Sequence, residues 1–286
     1  MWMIQQNIQA LTIAGHDSDG SAGMPADLHA FFVDGVYGHG ILTAAVAGNS
    51  YDITAQQVMP KEFIAEQFHQ LARDFTISAA KTGMLANDDV VNVVADHYDP
   101  KMFGPLVVDP VIITKHGAML LAQSAYELFR ERIIPLATVI TPNFYEAQKL
   151  AEMKITSRKD QLTAAQRLHE MGAKNVVVKG AHSDDAQDTV DDLVLLEDGH
   201  HFWMSKPFIQ TSRLNGTGDA FSAIIAAELA KGQDVTAAVR RAKDAVYAAI
   251  ANPLTVGHKF GPINHWAAQA ELGKKEENQN AWWIHS

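Results

Sequence analysis

The sequence predicts an α/β fold: one domain on a central, mostly parallel sheet flanked by helices on both faces. Two observations predict it. Short, nearly continuous apolar runs alternate with amphipathic stretches from Ala10 to about Ala251. This is the pattern of strands buried on both faces and of the helices that cover them. No Pro-, Gly- or Ser-rich linker and no internal repeat interrupts that alternation within the 286 residues, a length that one large α/β domain can fill.

The elements follow in order along the chain. A strand is read over residues 10–14 (ALTIA), ending at Gly15, and a helix over 26–33. Residues 41–47 (ILTAAVA) form the next short apolar run. Over 61–75, Ile64, Phe68, Leu71, Ala72 and Phe75 recur at helical spacing. Strands are read over 78–85, 106–111 and 137–141, with helices over 90–97 and 125–134 between them. A helix over 164–171 meets Gly172, a residue suited to stopping it, and 175–179 (NVVVK) reads as a strand. Residues 192–196 and 201–204, joined through Asp198-Gly199, form a hairpin pattern. Helices over 219–231 and 235–251 complete the core of the fold. The domain is placed at residues 1–270, and 271–286 as a polar C-terminal tail in which Trp282 and Trp283 form a frayed end.

Composition removes several function classes. The absence of cysteine excludes a disulfide framework, thiolate catalysis and Cys-ligated zinc or iron–sulfur centres. With 33 acidic against 23 basic side chains the net charge is -10, unfavourable for nucleic acid or an anionic membrane. The start MWMIQQNIQ has no basic n-region, and no apolar run approaches the roughly 18 residues of a membrane span. A cytoplasmic protein is expected.

In α/β sheets, ligands bind beyond the carboxyl ends of the strands, and the loops there hold the unusual residues. In LNGTGDAF (214–221), Gly216 and Gly218 permit a tight turn leading into a helix, where converging backbone N–H groups make an anion site. Asp219 is either a carboxylate facing whatever lies on that loop or a helix cap. Asn143 and Glu146 in TPNFYE share one face of a helix start, as a cap or as ligand contacts. Asp109 and Lys179 each follow a strand directly. The first loop, AGHDSDGSAGMPADL, carries three glycines and three aspartates, more than a connection needs. No Walker A motif occurs, no G-x-G-x-x-G follows a strand, and none of the 13 histidines forms an H-x-x-x-H pair.

Taken together, TIAGHDSDGSAGMPADL, KTGML (81–85), VVDPV (107–111), TPNFYEA (141–147), NGTGDAFSA (215–223) and VGHKFGPINH (256–265) resemble the hydroxymethylpyrimidine/pyridoxal kinase branch of the ribokinase-like superfamily. The segments occur in family order and span the chain to about Trp266. The resemblance implies a ribokinase-like fold, a homodimer, and phosphoryl transfer from ATP, with Mg2+, to a hydroxymethyl group on a heteroaromatic ring. Asp219 matches the catalytic base, and Gly216, Thr217 and Gly218 the anion hole. Asn143 and Glu146, with Asp109 beside them, match the groups that organise Mg2+. Lys179 and Thr211 match residues along the ATP phosphates, and Gly15, Ala22, Asp27, Met84 and Val111 the aromatic-substrate pocket.

Two departures bear on the substrate. Many relatives carry Cys where this chain has Asp219. The pyrimidine kinases typically carry Gln in the loop after the second strand, where this chain reads VAGNS with Gly48 at the matching position. The lost amide leads to pyridoxal or pyridoxine as the expected substrate. A hydroxymethylpyrimidine or phosphomethylpyrimidine kinase of thiamine synthesis is the alternative, and a pyridoxal phosphate or nucleotide binding protein the non-enzymatic one. Pro25 stands where relatives often have Gln, and the sequence offers no reason for it.

Overall fold

The structure, a computed structural model, describes residues 7–112, 121–180, 188–274 and 283–284. In chain order the strands are β1 (Gln9–Asp17), β2 (Tyr37–Gly48), β3 (Ile53–Val58), β4 (Ala79–Thr82), β5 (Leu106–Val108), β6 (Ala137–Ile140), β7 (Asn175–Val178), β8 (Thr189–Leu195), β9 (His201–Pro207) and β10 (Trp283–Ile284). They form one sheet in the order β10-β9-β8-β7-β6-β5-β4-β1-β2-β3. From β2 to β7 every neighbouring pair is parallel. Antiparallel strands extend both ends. The helices are α1 (Gly23–Val33), α2 (Lys61–Asp74), α3 (Asp88–His97), α4 (Pro100–Phe103), α5 (Ala125–Arg132), α6 (Phe144–Leu150), α7 (Arg158–Glu170), α8 (Thr217–Ala230), α9 (Val235–Ala251) and α10 (His265–Leu272).

Alternation along each strand divides the core in two. Ala10, Val107, Val139 and Val177 face α1, α8, α9 and α10, through Phe31, Phe221, Ile225, Val239 and Ala268. Leu11, Ile13, Leu106 and Val108 face the other helical layer, meeting Ile64, Val90, Phe129 and Leu168. Both faces of the sheet are thus covered, which is why its parallel strands read as unbroken apolar runs.

The structure departs from the sequence reading at identifiable places. β3 was not expected: its residues ITAQQV are almost all exposed, so backbone pairing with β2 rather than an apolar pattern defines it. α10 was also missed, and it runs across the boundary expected at residue 270. Its N-cap Asn264 accepts hydrogen bonds from the Trp266 and Ala267 N–H groups. α1 begins at Gly23, so Pro25 lies in its first turn, where a missing N–H costs no intrahelical bond. The tail is not entirely frayed. Trp283 and Ile284 add to β9, whose outer edge would otherwise be unpaired; Trp282 lies outside the described residues. Among the described residues no helix is long and apolar enough to cross a membrane.

Candidate active site

β1 sits between β2 and β4, so the chain leaves β1 towards one side and returns on the other, the place where such sheets open a crevice. Thr12 on β1 and Lys81 on β4 are register partners there. Asp27, from the first turns of α1, closes over both. The Thr12 hydroxyl donates to Asp27 Oδ2 at 2.5 Å and Lys81 Nζ donates to Asp27 Oδ1 at 2.8 Å. All three residues are fully buried. Burial lifts the Asp27 carboxyl to about 7 against the pull of Lys81, with the Asp219 charge adding to the rise. Burial alone would depress Lys81, but Asp27, Asp219 and Asp109 together hold its ammonium above the ordinary lysine value. Asp27, expected to line the substrate pocket, therefore turns its oxygens inward and holds Lys81.

The turn into α8 lies directly above. Gly216 is the N-cap residue with φ +81, and no side chain caps the helix. A Cβ on Gly216 would lie 2.2 Å from the Ser21 carbonyl oxygen, so only glycine lets the first loop rest on this turn. The Thr217 hydroxyl donates to the Leu214 carbonyl at 2.7 Å. The following first-turn amides have no acceptor within the helix and carry its positive end. Asp219 stands in that turn rather than at the cap, which removes the capping reading. Its carboxylate is 17% exposed and 3.8 Å from Lys81 Nζ.

A second cation completes the floor. Lys179, just after β7, places Nζ 3.3 Å from Asp109 Oδ1. Both groups border Gly218: a Cβ there would lie 3.3 Å from Lys179 Nζ and 3.4 Å from Asp109 Oδ2. Asn143 and Glu146 form a capping box at α6. The Asn143 N–H donates to Glu146 Oε2 at 2.8 Å, and the Glu146 N–H to Asn143 Oδ1 at 2.9 Å. The Ile112 N–H donates to the other Glu146 oxygen at 3.5 Å. Burial, opposed by Lys179 and reinforced by Asp109, lifts Glu146 to about 8.

That shift predicts a pH-dependent stability. The unfolded carboxyl titrates near 4.5 and the folded one near 8, so the stabilisation is full below pH 4.5 and lost as pH rises through 8. For ligand-free protein, Tm is expected to fall by roughly 3–8 °C between pH 6 and 8.5. Glu146→Gln, which can keep the capping box, is expected to flatten that decline. Equal slopes for the two proteins in a thermal melt series would refute the assignment.

The remaining residues fall around this centre. Gly15 abuts Met84, whose Cε would lie 2.7 Å from a Cβ at position 15. Ala22 is the extended residue before α1, and Val111 donates its N–H to the Asp109 carbonyl at 2.9 Å. Thr211 accepts from the Arg213 N–H at 3.1 Å, on the loop leading to α8. Lys179 and Thr217 open onto an apolar cleft walled by Val190, Pro207, Val246 and Tyr247, and Thr211 does not line it. Asp19, Ser21, Tyr51, His258 and Phe260 line a second cleft. Sequence reasoning gave no role to Lys81 or Asp17. The signal for Lys81 was a charged residue inside a strand, AAKT, buried throughout, a place such residues rarely occupy unpaired. Asp17 is pushed up to about 6 by burial and by the charges of Asp19 and Asp219.

Comparison with known proteins places the chain in a family. A family model described as phosphomethylpyrimidine kinase matches residues 17–264. The chain is 44% identical over 260 residues to the hydroxymethylpyrimidine/phosphomethylpyrimidine kinase of Haemophilus influenzae, covering 91% of this chain and 97% of that one. Among solved structures, an ADP complex of Bacillus subtilis pyridoxal kinase superposes with a TM-score of 0.84 at 34% identity, over 92% of this chain and 98% of that one. A phosphomethylpyrimidine kinase from Clostridium difficile superposes with a TM-score of 0.74 at 32% identity, over 85% and 99%. The ribokinase-like α/β fold is confirmed.

The expectation of a pyridoxal or pyridoxine kinase is overturned by the family match and the 44% identical relative, both of which carry the pyrimidine kinase description. Gly48, on which that expectation rested, is tied to the first loop through its backbone. Its N–H donates to Ser18 Oγ, which donates back to its carbonyl, each at 3.0 Å. A Cβ there would press on Asp52 and Ile53, where the β2–β3 register slips. A side chain at position 48 would need Asp52 and Ile53 to give way by a few tenths of an ångström.

Proposed function

Because this chain belongs to the phosphomethylpyrimidine kinase family, we propose that it phosphorylates hydroxymethylpyrimidine with ATP, and then phosphorylates the monophosphate so formed. The observation that carries this reading is the start of α8, where the first-turn amides, Asp219, Lys81 and Lys179 converge.

ATP phosphates lie along Lys179 and the amides of Gly216, Thr217 and Gly218, with the nucleoside end in the apolar cleft of Val190, Pro207, Val246 and Tyr247. The acceptor ring sits over Gly15, Met84 and Val111, with its hydroxymethyl group at Asp219. An alcohol resembles water, whose pKa is about 15.7, so full deprotonation beforehand is far uphill. Asp219 instead orients the hydroxyl and takes its proton as the phosphoryl group moves, in a transition state where positioning and charge stabilisation dominate. Attraction of the phosphates is local, so the net charge of -10 does not oppose it.

The donor set suits magnesium. Asp109, Asn143 and Glu146 offer hard oxygen atoms, and a cation would relieve the burial that lifts Glu146. Magnesium is commonly held by one or two carboxylates plus substrate phosphates. Asp109, Asn143 and Glu146 would hold the ion, which would supply charge neutralisation for the transferred phosphoryl group.

The test is kcat/KM with hydroxymethylpyrimidine, its monophosphate and pyridoxal, each with ATP. Both pyrimidines are expected to turn over, and pyridoxal more slowly than either. Preference for pyridoxal over both would refute the reading.

A further inference from the structure

We propose that Lys81 is the positioning residue for Asp219: anchored from below by Asp27 and Thr12, its ammonium fixes the orientation of the Asp219 carboxylate beneath the acceptor oxygen. The inference rests on the kinase reading of the α8 turn and adds a residue and a role to it. Three features of the geometry carry it.

Lys81 has no exposed surface, yet it sits between two carboxylates, 2.8 Å from Asp27 and 3.8 Å from Asp219. Had neutralising Asp27 been its whole purpose, the ammonium would have no reason to reach the first turn of α8. Secondly, both ends are rigid. Lys81 belongs to a central strand in register with Thr12, and Asp219 to the first turn of a long helix, so their spacing is set by packing rather than by loop motion. Gly83 leaves room for the ammonium, since a Cβ there would stand 3.4 Å from Nζ. Thirdly, carboxylates crowd this end of the sheet. Asp17 and Asp27 both sense the Asp219 charge, and Lys179, which senses Asp219 too, pairs with Asp109 on the phosphate side. Lys81 is the fully buried cation that stands between Asp27 and Asp219.

The chain Thr12–Asp27–Lys81–Asp219 thus has the form of a nucleophile-activating relay without moving a proton. Each member fixes the next, and only Asp219 meets the substrate. Two isolated charges a few ångströms apart interact strongly where water is excluded, and orientation of a catalytic base is lost when its partner goes.

The experiment compares Lys81→Met, Asp27→Asn and the double variant with the wild type, reading kcat, the KM for ATP and thermal stability. Lys81→Met is expected to lower kcat about 10- to 100-fold with the ATP KM within about 3-fold of wild type. It also leaves Asp27 buried without its partner, so it is expected to melt early. The double variant removes both buried charges, restores the melting temperature and keeps the low kcat. If the double variant regains wild-type kcat, Lys81 serves only Asp27 and the proposal is wrong. Unchanged kcat in Lys81→Met overturns it as well, and if that protein does not fold the double variant decides. The wild-type acceptor panel separates this from the substrate reading: should another hydroxymethyl compound prove the better acceptor, the same ratios are measured on it.

Discussion

Asp219→Asn folds as the wild type does and loses about 10²–10⁴-fold in kcat on hydroxymethylpyrimidine, the usual worth of a general base. The isosteric amide keeps the α8 turn, whose cap is Gly216, but cannot accept the hydroxyl proton. The effect should depend on the acceptor. A phosphate monoester has a second pKa near 6 and arrives ionised at pH 7, so its attacking oxygen has no proton to lose. The same substitution should therefore slow the second phosphorylation much less, within about 10-fold. Steady-state rates on the two acceptors check this, and equal losses on both would remove the base role from Asp219.

Gly216→Ala is expected to abolish most activity and to destabilise the fold. Its left-handed backbone costs a side chain about 1–2 kcal/mol, and the new Cβ would fall 2.2 Å from the Ser21 carbonyl oxygen, adding roughly 1–3 kcal/mol of overpacking. Relief requires the first loop to lift off the α8 turn, which separates the acceptor pocket from the anion site. A loss above about 10²-fold in kcat/KM and a Tm lower by roughly 5–15 °C are predicted. Gly20→Ala is the control, because it has a similar φ of +75 with nothing within 4 Å of the added Cβ. It should cost about 1 kcal/mol and little activity. Similar behaviour of the two variants would mean that the contact with Ser21 is unimportant.

Much of this molecule was legible in its sequence where the information is local. The parallel strands announced themselves as apolar runs, since residues such as Val107 and Val108 are buried on opposite faces of the same sheet. The α8 turn was visible because its glycines, Thr217 and Asp219 are consecutive. What stayed hidden depends on registry between distant segments. Lys81 lies 54 residues from Asp27, and only the pairing of β1 with β4 places Thr12 beside it. β3 escaped because backbone pairing, rather than buried side chains, holds it. Gly48 was taken for a substrate signal, and the family match overturned the substrate drawn from it. Asn143 and Glu146, for which cap and ligand readings competed, do form the cap, and the Glu146 carboxyl still senses the charges of Lys179 and Asp109.

The most direct test follows one reaction over time: wild-type protein with hydroxymethylpyrimidine, excess ATP and Mg2+, with products resolved by phosphorus NMR. A monophosphate that accumulates and then passes to the diphosphate, at two ATP consumed per pyrimidine, is the predicted result. A reaction that stops at the monophosphate, or that runs only when pyridoxal replaces the pyrimidine, would contradict the account.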